Sequence, residues 1–341
     1  MNTRLINHEG TLMKTSLTRP LICIAALTLF SVSAFSSAEE MQKVKLAQNL
    51  SPISGVTIIA KNKNFFEKAG LDVQVVNFTS GKQALEATLG GGTDIATTAE
   101  APVTAAAMAK QPIAFIARME YSDLKTLASV SSGIRTLSDI KGKRIGMTVG
   151  TGGEVYTMAL LERAGLTKKD VSIVSLRPQD MAAGISANGI DMMNTWEPYI
   201  STAKKALGTQ VRQLETKGVY AETFNIVTTQ TYLKSNRELM TKFVKAMIDA
   251  EKWMKDNPEE AITIVAKTVG MNRDDLAPIW SEYNFKVVLD DMTVSVLKAH
   301  AAWRLESGNA PTGAVMPDFS KVIFPDLLKG VAADRVTIKS Y

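Results

Sequence analysis

Along this chain, segments with the hydrophobic spacing of strands alternate with segments that have the spacing of helices. Short apolar stretches with side chains alternating at every second residue, as at 71–78, predict strands. Longer stretches with apolar residues three and four apart, as at 155–164, predict helices. The two patterns alternate over residues 44–229, and this predicts an α/β fold in which mainly parallel sheets are flanked by helices.

The last third of the chain is predicted to be largely helical. Residues 235–256 place Leu239, Phe243, Met247 and Met254 close to one face. A stripe of this kind is typical of a helix that packs against a core. We therefore predict that this helix is structural.

One motif occurs twice, at residues 92–102 and 189–198. Counting from the first Gly of each copy, Asp stands at +2, Thr at +6 and Glu at +8, and Pro follows. The pattern predicts a strand, a polar turn and a helix that starts near Pro. Two copies predict two similar lobes, each with Thr and Glu at the carboxyl end of a strand. Open α/β sheets bind their ligands at that end.

No low-complexity linker separates the two predicted lobes. We place residues 39–128 and 229–341 in the first lobe and residues 129–228 in the second. The chain would then cross between the lobes twice, through two short segments. Two such crossings form a hinge and leave a cleft between the lobes.

The N-terminus has the pattern of a secretion signal. Residues 1–38 contain a short basic region, an apolar run and small residues before Glu39, with Met13 as an alternative start. The strongly apolar centre is shorter than the roughly 20 residues that a membrane span needs. We predict a cleaved signal peptide and a periplasmic protein, which would lack Cys23, the single cysteine.

Composition excludes several classes of function. The formal net charge is +5, and loss of the signal peptide would lower it to about +3, with no Lys/Arg cluster to bind nucleic acid. Only His300 would remain of the two histidines, so neither a histidine-based triad nor a zinc site is expected. We predict a monomer with no catalytic residues, no metal and no cofactor.

Six short segments occur in order along the chain: Asn49-Leu50-Ser51, residues 65–71, Ser80-Gly81, residues 94–102, residues 137–146, and Asp191 with Trp196-Glu197-Pro198. Together they resemble a known family, the periplasmic substrate-binding proteins of nitrate/taurine/aliphatic-sulfonate ABC importers. That superfamily shares its fold with proteins that bind or synthesise thiamine pyrimidine precursors. The resemblance implies a type II periplasmic-binding-protein fold that captures a small solute and delivers it to an ABC permease and its ATPase.

The candidate ligand-binding residues lie in the loops that follow the predicted strands. Ser80-Gly81 and Thr151-Gly152 precede helices, where free N–H groups and hydroxyls suit an oxyanion such as a sulfonate. The alternative is that Ser80 and Thr151 are ordinary helix N-caps. The full set is Asn49, Ser51, Ser80, Gly81, Thr98, Glu100, Thr148, Gly150, Thr151, Gly152, Asn194, Thr195, Trp196 and Glu197.

Glu100 and Glu197 bear on the charge of the solute. A carboxylate about 4 Å from a bound anion costs roughly 4 kcal/mol at an effective dielectric constant of about 20. Either both glutamates cap their own helices, or the solute carries a cationic or N–H-donating group, as a taurine-like amino-sulfonate or an aminopyrimidine does. Trp196 is predicted to form an aromatic wall for the solute, with packing between elements as the alternative.

Three other functions compete with sulfonate or nitrogen-compound import. The first is binding of a thiamine pyrimidine precursor or another aminopyrimidine in the same transport role. The second is a solute sensor that is not coupled to import. The third is a pyrimidine-precursor synthase on the same fold, which the export signal and the lack of cysteine in the mature chain oppose.

Overall fold

The computed structural model describes residues 40–341, which form one compact unit. The predicted signal peptide at 1–38 lies outside these described residues. Within 40–341, no helix combines the length and the apolar character needed to cross a membrane.

Strands and helices alternate in the described chain as the hydrophobic spacing predicts. The strands are β1 (Gln42–Asn49), β2 (Leu71–Phe78), β3 (Ile95–Ala99), β4 (Ile113–Asp123), β5 (Lys125–Ser129), β6 (Arg144–Met147), β7 (Ser172–Ser175), β8 (Met192–Thr195), β9 (Val211–Gln213) and β10 (Ala221–Thr229). The helices are α1 (Gly55–Asn62), α2 (Phe65–Lys68), α3 (Gly81–Leu89), α4 (Glu100–Met108), α5 (Gly152–Arg163), α6 (Met181–Ser186), α7 (Tyr199–Leu207), α8 (Gln230–Ser235), α9 (Arg237–Asp256), α10 (Pro258–Val269), α11 (Arg273–Leu276), α12 (Asp291–Glu306) and α13 (Pro325–Val331).

The strands form two five-stranded sheets with the same topology, β2-β1-β3-β10-β4 and β7-β6-β8-β5-β9. In the first sheet, β1 pairs in parallel with β2 and β3, and β10 runs antiparallel to both β3 and β4. In the second, β6 pairs in parallel with β7 and β8, and β5 runs antiparallel to β8 and β9. The predicted two-lobed α/β fold is confirmed, with one strand of opposite direction inserted in each sheet. Each sheet and its flanking helices is called a lobe below.

The inserted strands belong to the two crossings between the lobes. Strand β4 of the first lobe continues through Leu124 directly into β5 of the second, and the chain returns through residues 214–220 into β10. The predicted division at 129–228 stays a prediction, but strand pairing places both crossings several residues earlier. An apolar strand pattern does not reveal which sheet accepts the strand, and this accounts for the shift.

Both copies of the repeated motif use their Asp in the same way. Asp94 accepts a 2.7 Å hydrogen bond from the main-chain N–H of Lys45, at β1. Asp191 accepts a 2.8 Å bond from the N–H of Arg144, at the start of β6. Each Asp therefore fixes the strand that follows it to the neighbouring parallel strand. As a result, the Thr at +6 reaches the same edge of its sheet in both lobes.

The large core of the first lobe includes the C-terminal helices. Leu239, Phe243, Met247 and Met254 of α9 are all buried, as the spacing predicts. The ring of Phe243 stacks on Phe66 of α2 with 4.9 Å between centroids. The last third of the chain thus completes the lobe that residues 42–123 begin.

A buried ion pair ties α12 to the first sheet. Arg118 in β4, whose side chain is 3 % exposed, donates from Nη2 to Asp290 Oδ2 at 2.5 Å. Asp290 also caps α12 by accepting from the N–H of Thr293 at 3.0 Å. Burial alone would raise the pKa of Asp290. The charge of Arg118 and the hydrogen bonds from Thr293 and Arg118 together outweigh burial, so the pKa of Asp290 is below its ordinary value. The pair's stabilisation is therefore lost as the pH falls through that lowered pKa.

We predict that Asp290→Ala lowers the free energy of unfolding by about 3 kcal/mol, because it leaves Arg118 buried without its counter-ion and removes a helix cap. Urea unfolding at pH 7 measures the change. The neighbouring Asp291→Ala is the control, since that side chain is 49 % exposed and its loss costs less than about 1 kcal/mol. Equal losses in both variants would contradict the assigned role of the pair.

Candidate ligand-binding site

A small cavity lies between the lobes. It has a volume of about 10 Å³ and is called the inter-lobe cleft below. Three predicted site residues, Ser51, Trp196 and Glu197, line it. The full lining is Ser51, Ile53, Ser122, Asp123, Leu124, Lys125, Trp196, Glu197, Glu222, Glu282 and Tyr283.

The size of the inter-lobe cleft bears on how a solute enters. A volume of roughly 10–15 Å³ holds one water molecule, whereas small-molecule sites usually enclose about 300–1,000 Å³. A larger cavity of about 460 Å³ is lined by the crossing segments and shares Lys125 and Glu282 with the cleft, but contains no predicted site residue. Glu197 also lines a separate cavity of about 610 Å³, but a solute that reaches Ser51 and Trp196 in the cleft requires the lobes to part.

Contacts across the cleft join loops that the sequence singles out. The hydroxyl of Ser51 in the first lobe donates to the carbonyl oxygen of Glu197 in the second at 2.8 Å. Lys82 in α3 reaches the carbonyl oxygen of Val149 at 3.5 Å. The loops after β1 and β8, and those at α3 and β6, therefore face one another.

Four predicted site residues carry buried polar atoms that lack a protein partner. They are Asn49 Oδ1, Thr98 Oγ1, Thr195 Oγ1 and Trp196 Nε1, none with a hydrogen bond to any of residues 40–341. None of the four residues is more than 8 % exposed. Because buried polar atoms are almost always hydrogen-bonded, these four atoms are available to a water molecule or a solute. Thr98 and Thr195 are the equivalent residues of the two motif copies.

Glu100 is held by its own lobe. Its carboxylate accepts bonds of 2.7 Å from both the main-chain N–H and the hydroxyl of Thr223, and another from the Tyr220 hydroxyl. His300 Nε2 lies 3.4 Å away, and burial lowers the pKa of His300 to about 3. Burial raises the pKa of Glu100 more than these hydrogen bonds lower it. Its observed role is to fix β10, and contact with a solute remains a prediction.

Glu197 matches the capping alternative while also lining the cleft. Its Oε2 accepts from the N–H of Ser201 at 2.9 Å, in the first turn of α7. Its Oε1 lies 4.0 Å from Lys125 Nζ. Burial, the largest effect, raises its pKa above the ordinary value.

The loop after β6 uses its hydroxyls internally. Thr151 donates to the carbonyl of Thr148 at 2.7 Å and accepts from the N–H of Gly153 at 3.1 Å. Thr148 donates to the carbonyl of Leu176 at 2.8 Å. Gly150, with a φ of +79°, forms the turn between these two threonines. The arrangement is that of an N-capped helix, so any solute contact from this loop would come from main-chain atoms.

The loop before α3 combines an N-cap with a close approach of two backbones. Ser80 accepts from the N–H of Gln83 at 3.3 Å. A Cβ atom at Gly81 would lie 2.8 Å from Thr98 Cα. Glycine at 81 therefore allows α3 to begin against the end of β3, where the unpartnered Thr98 hydroxyl lies.

Asn194 serves the interior of the second lobe. Its Oδ1 accepts from the Thr126 hydroxyl at 2.7 Å, and its Nδ2 donates to Thr157 Oγ1 at 2.8 Å. Thr126 also bonds to the Tyr156 hydroxyl at 2.9 Å. These bonds join β8, β5 and α5, so both ends of the Asn194 amide have partners inside the second lobe.

Glu222 is a cleft residue that the sequence did not reveal. A Cβ atom at Gly152 would lie 1.9 Å from Glu222 Oε1, so this carboxylate from the first lobe sits directly on the first turn of α5 in the second. Burial and then Glu100 raise its pKa well above the ordinary value, and the Gly152 main chain lowers it. A protein carboxylate thus occupies the place where the sequence predicted a bound oxyanion.

Glu120 in β4 is a second buried glutamate that the sequence did not reveal, although it does not line the cleft. It is 0 % exposed, and neither of its oxygens has a partner in hydrogen-bonding geometry within the described chain. Burial raises its pKa well above the ordinary value and Glu222 adds to the rise, while Ser122 and Arg118 lower it. A glutamate directly after the apolar run at 113–119 is the sequence signal that could have identified it.

We predict that Gly152→Ala prevents full closure of the lobes, because its methyl group would occupy the place of the Glu222 carboxylate. X-ray scattering, or electron paramagnetic resonance between spin labels placed one in each lobe, measures the separation. Gly153→Ala is the matched control in the same turn, since its Cβ meets Thr151 Oγ1 of its own lobe at 3.3 Å. An inter-lobe distance unchanged in Gly152→Ala would refute this contact.

We predict that Glu120→Gln stabilises the protein by about 1–3 kcal/mol at pH 8, because glutamine is neutral without the proton that the folded wild-type protein must hold at that pH. A raised pKa means that the folded state keeps a proton which the unfolded state loses, so wild-type stability falls as the pH rises above the unfolded pKa. The variant should lose part of that dependence. Urea unfolding at pH 5 and pH 8 measures this pH dependence of stability. Glu306→Gln, at an exposed position, is the control. Destabilisation at pH 8 would contradict the prediction.

Within residues 40–341, no group of three or more His, Cys, Asp or Glu side chains is arranged to hold a metal ion. Comparison with known proteins identifies the family to which the chain belongs. The family model described as "NMT1/THI5 like" matches residues 52–261. This segment includes both copies of the motif, the unpartnered threonines and the two missed glutamates.

The chain is similar to binding proteins over most of its length. A predicted binding protein of Brucella abortus (strain 2308) is 26 % identical over 65 % of this chain and 70 % of its own. A predicted aliphatic sulfonates-binding protein of Escherichia coli (strain K12) is 26 % identical over 78 % of this chain and 83 % of its own. The alkanesulfonate-binding protein SsuA from Xanthomonas axonopodis pv. citri, solved with MOPS, has a TM-score of 0.73 at 18 % identity, covering 84 % of this chain and 100 % of that one. These likenesses agree with the observed fold.

Proposed function

We propose that this chain, which belongs to the NMT1/THI5-like family, is the extracytoplasmic solute-binding protein of an ABC importer. It captures a small sulfonate-like or nitrogen-containing solute between its two lobes. The observation that carries the proposal is the set of buried, unpartnered polar atoms contributed by both lobes, at Thr98, Thr195 and Trp196. Groups of this kind are satisfied when a solute binds.

Closure of the lobes is the means of capture. A solute of about seven non-hydrogen atoms has a binding limit near −10 kcal/mol, which corresponds to a dissociation constant of about 10⁻⁷ M. Such affinity requires contacts on nearly every atom, and one open lobe cannot supply them. The crossings at Leu124 and 214–220 let the lobes part and close again around the solute.

The remaining parts of the proposal rest on the sequence pattern of residues 1–38 and on the resemblance to importer binding proteins. The protein is exported through the signal peptide at 1–38, acts in the periplasm as a monomer, and delivers its solute to a permease with its ATPase. Similarity to binding proteins supports binding rather than catalysis. The other candidate solute, an aminopyrimidine or thiamine pyrimidine precursor, is favoured by the carboxylates that line the cleft. A solute sensor without a permease would bind in the same way, and solute uptake in a deletion strain separates the two.

We predict that a bound solute reduces the radius of gyration of the protein, as measured by X-ray scattering.

We also predict that Thr195→Val weakens solute binding at least tenfold, because valine keeps the side-chain volume and removes the unpartnered hydroxyl. Calorimetry with taurine, alkanesulfonates, nitrate and aminopyrimidines identifies the solute and measures the loss. Thr104→Val is the matched control, because Thr104 is also 0 % exposed with an unpartnered hydroxyl in the described chain, but lies on α4.

Two outcomes would contradict this proposal. One is an unchanged radius with a saturating solute, which would exclude capture by closure. The other is equal binding by Thr195→Val and wild-type protein, which would place the solute elsewhere.

A further inference from the structure

Helix α12 starts as part of the first lobe. Its cap residue, Asp290, is paired with Arg118 of β4. The buried core of the same lobe includes Val294, Leu297 and Ala301. These three residues are spaced three and four positions apart, so they lie on one face of the helix. The first three turns of α12 are therefore fixed to the first sheet and its helices.

The end of α12 and the turn after it contact the second lobe instead. Trp303, in the last turn, packs against the buried core of that lobe, which includes Met158 and Leu161 of α5. Beyond the helix, Asn309 Oδ1 accepts a 3.0 Å hydrogen bond from Lys168 Nζ, in the turn that follows α5. One helix thus joins both lobes, although the main chain crosses between them elsewhere.

The middle of α12 is attached to the crossing at 214–220. His300 Nε2 lies 3.2 Å from the hydroxyl oxygen of Tyr220, and that hydroxyl donates to Glu100 of α4. The ring of Tyr220 stacks on Tyr156 of α5 with 6.4 Å between centroids. Tyr220 of this crossing therefore contacts both α12 and α5, and separation of the lobes changes its contacts with the two helices.

The interface between α12 and α5 is incompletely filled. A groove of about 270 Å³ is lined by Val155 and Ala159 of α5 and by Val296, Ala299 and Trp303 of α12. Cores that stay packed leave few voids larger than a water molecule. An interface that contains a groove of this size loses fewer contacts when it opens, as suits two surfaces that separate repeatedly.

We propose that α12, together with Asn309, is a strap that holds the lobes closed. It travels with the first lobe, and Trp303 and Asn309 must leave the second lobe before the two can part. The inference concerns the lobe movement on which the proposed function rests. Contacts made in the closed form alone raise the population of that form. Trp303 makes the larger contribution, because its ring carries a large apolar surface, whereas the exposed hydrogen bond of Lys168 competes with water.

Electron paramagnetic resonance on the exported protein without solute tests the strap. Asp72→Cys and Ser172→Cys place one spin label on an exposed position of an edge strand in each lobe. We expect the ratio of separated to closed molecules to rise about tenfold in Trp303→Ala, because the closed form loses an apolar contact. Leu305→Ala is the matched control. It truncates an apolar side chain in the same turn of α12, but one that is 37 % exposed, and it should leave the distances unchanged.

Trp303→Leu keeps the test available if the alanine variant does not fold. It retains part of the apolar contact, so we expect a smaller shift in the same direction. The inference is overturned if the folded variants at Trp303 show the wild-type distances, if Leu305→Ala shifts them equally, or if the wild-type lobes are already fully apart without solute. None of these outcomes involves a solute. Failure of the strap therefore leaves the proposed function standing, whereas a radius of gyration that no solute reduces overturns that function alone.

Discussion

Each of the two sheets is completed by a strand that arrives from the other lobe. Strand β5 enters the second sheet directly from β4, and β10 enters the first from β9, each as the antiparallel strand between parallel neighbours. Because sheet hydrogen bonds fix these strands, the crossings between them are short and close to the ligand edge of both sheets. The position of the hinge and the entry of Glu222 into the cleft both follow from this pairing.

Some polar groups near the cleft lower the stability of the protein and remain available to a solute. Unpartnered buried hydroxyls and carboxylates are unfavourable in the protein alone, and their removal is expected to stabilise it. Other buried polar groups have partners that hold the fold, as with Arg118 Nη2 and Asp290 or Asn194 and its threonines. The contrast separates polar residues that hold the fold from those available to a solute. It also explains why several predicted site residues, including Thr148 and Asn194, have structural partners instead.

Much of the fold could be predicted from spacing alone. Strand–helix alternation, the repeated motif and the core face of α9 are local properties, because each depends on residues a few positions apart. The site was predictable only in part. Thr98, Thr195 and Trp196 lie at strand ends that the motif marks, whereas Glu120 and Glu222 come from strands whose place in the sheets is decided by distant pairing.

The sequence by itself determined the class of fold, the two similar lobes and the strand ends that form the candidate site, since hydrophobic period and turn residues act locally. Only the tertiary structure decided which hydroxyls remain without partners and which carboxylates enter the cleft. Hydrogen-bond satisfaction and burial depend on neighbours more than 100 residues away, as with Glu100 and Thr223. A local sequence pattern cannot identify such neighbours, because the charge state and solvation of a side chain depend on all the groups packed around it.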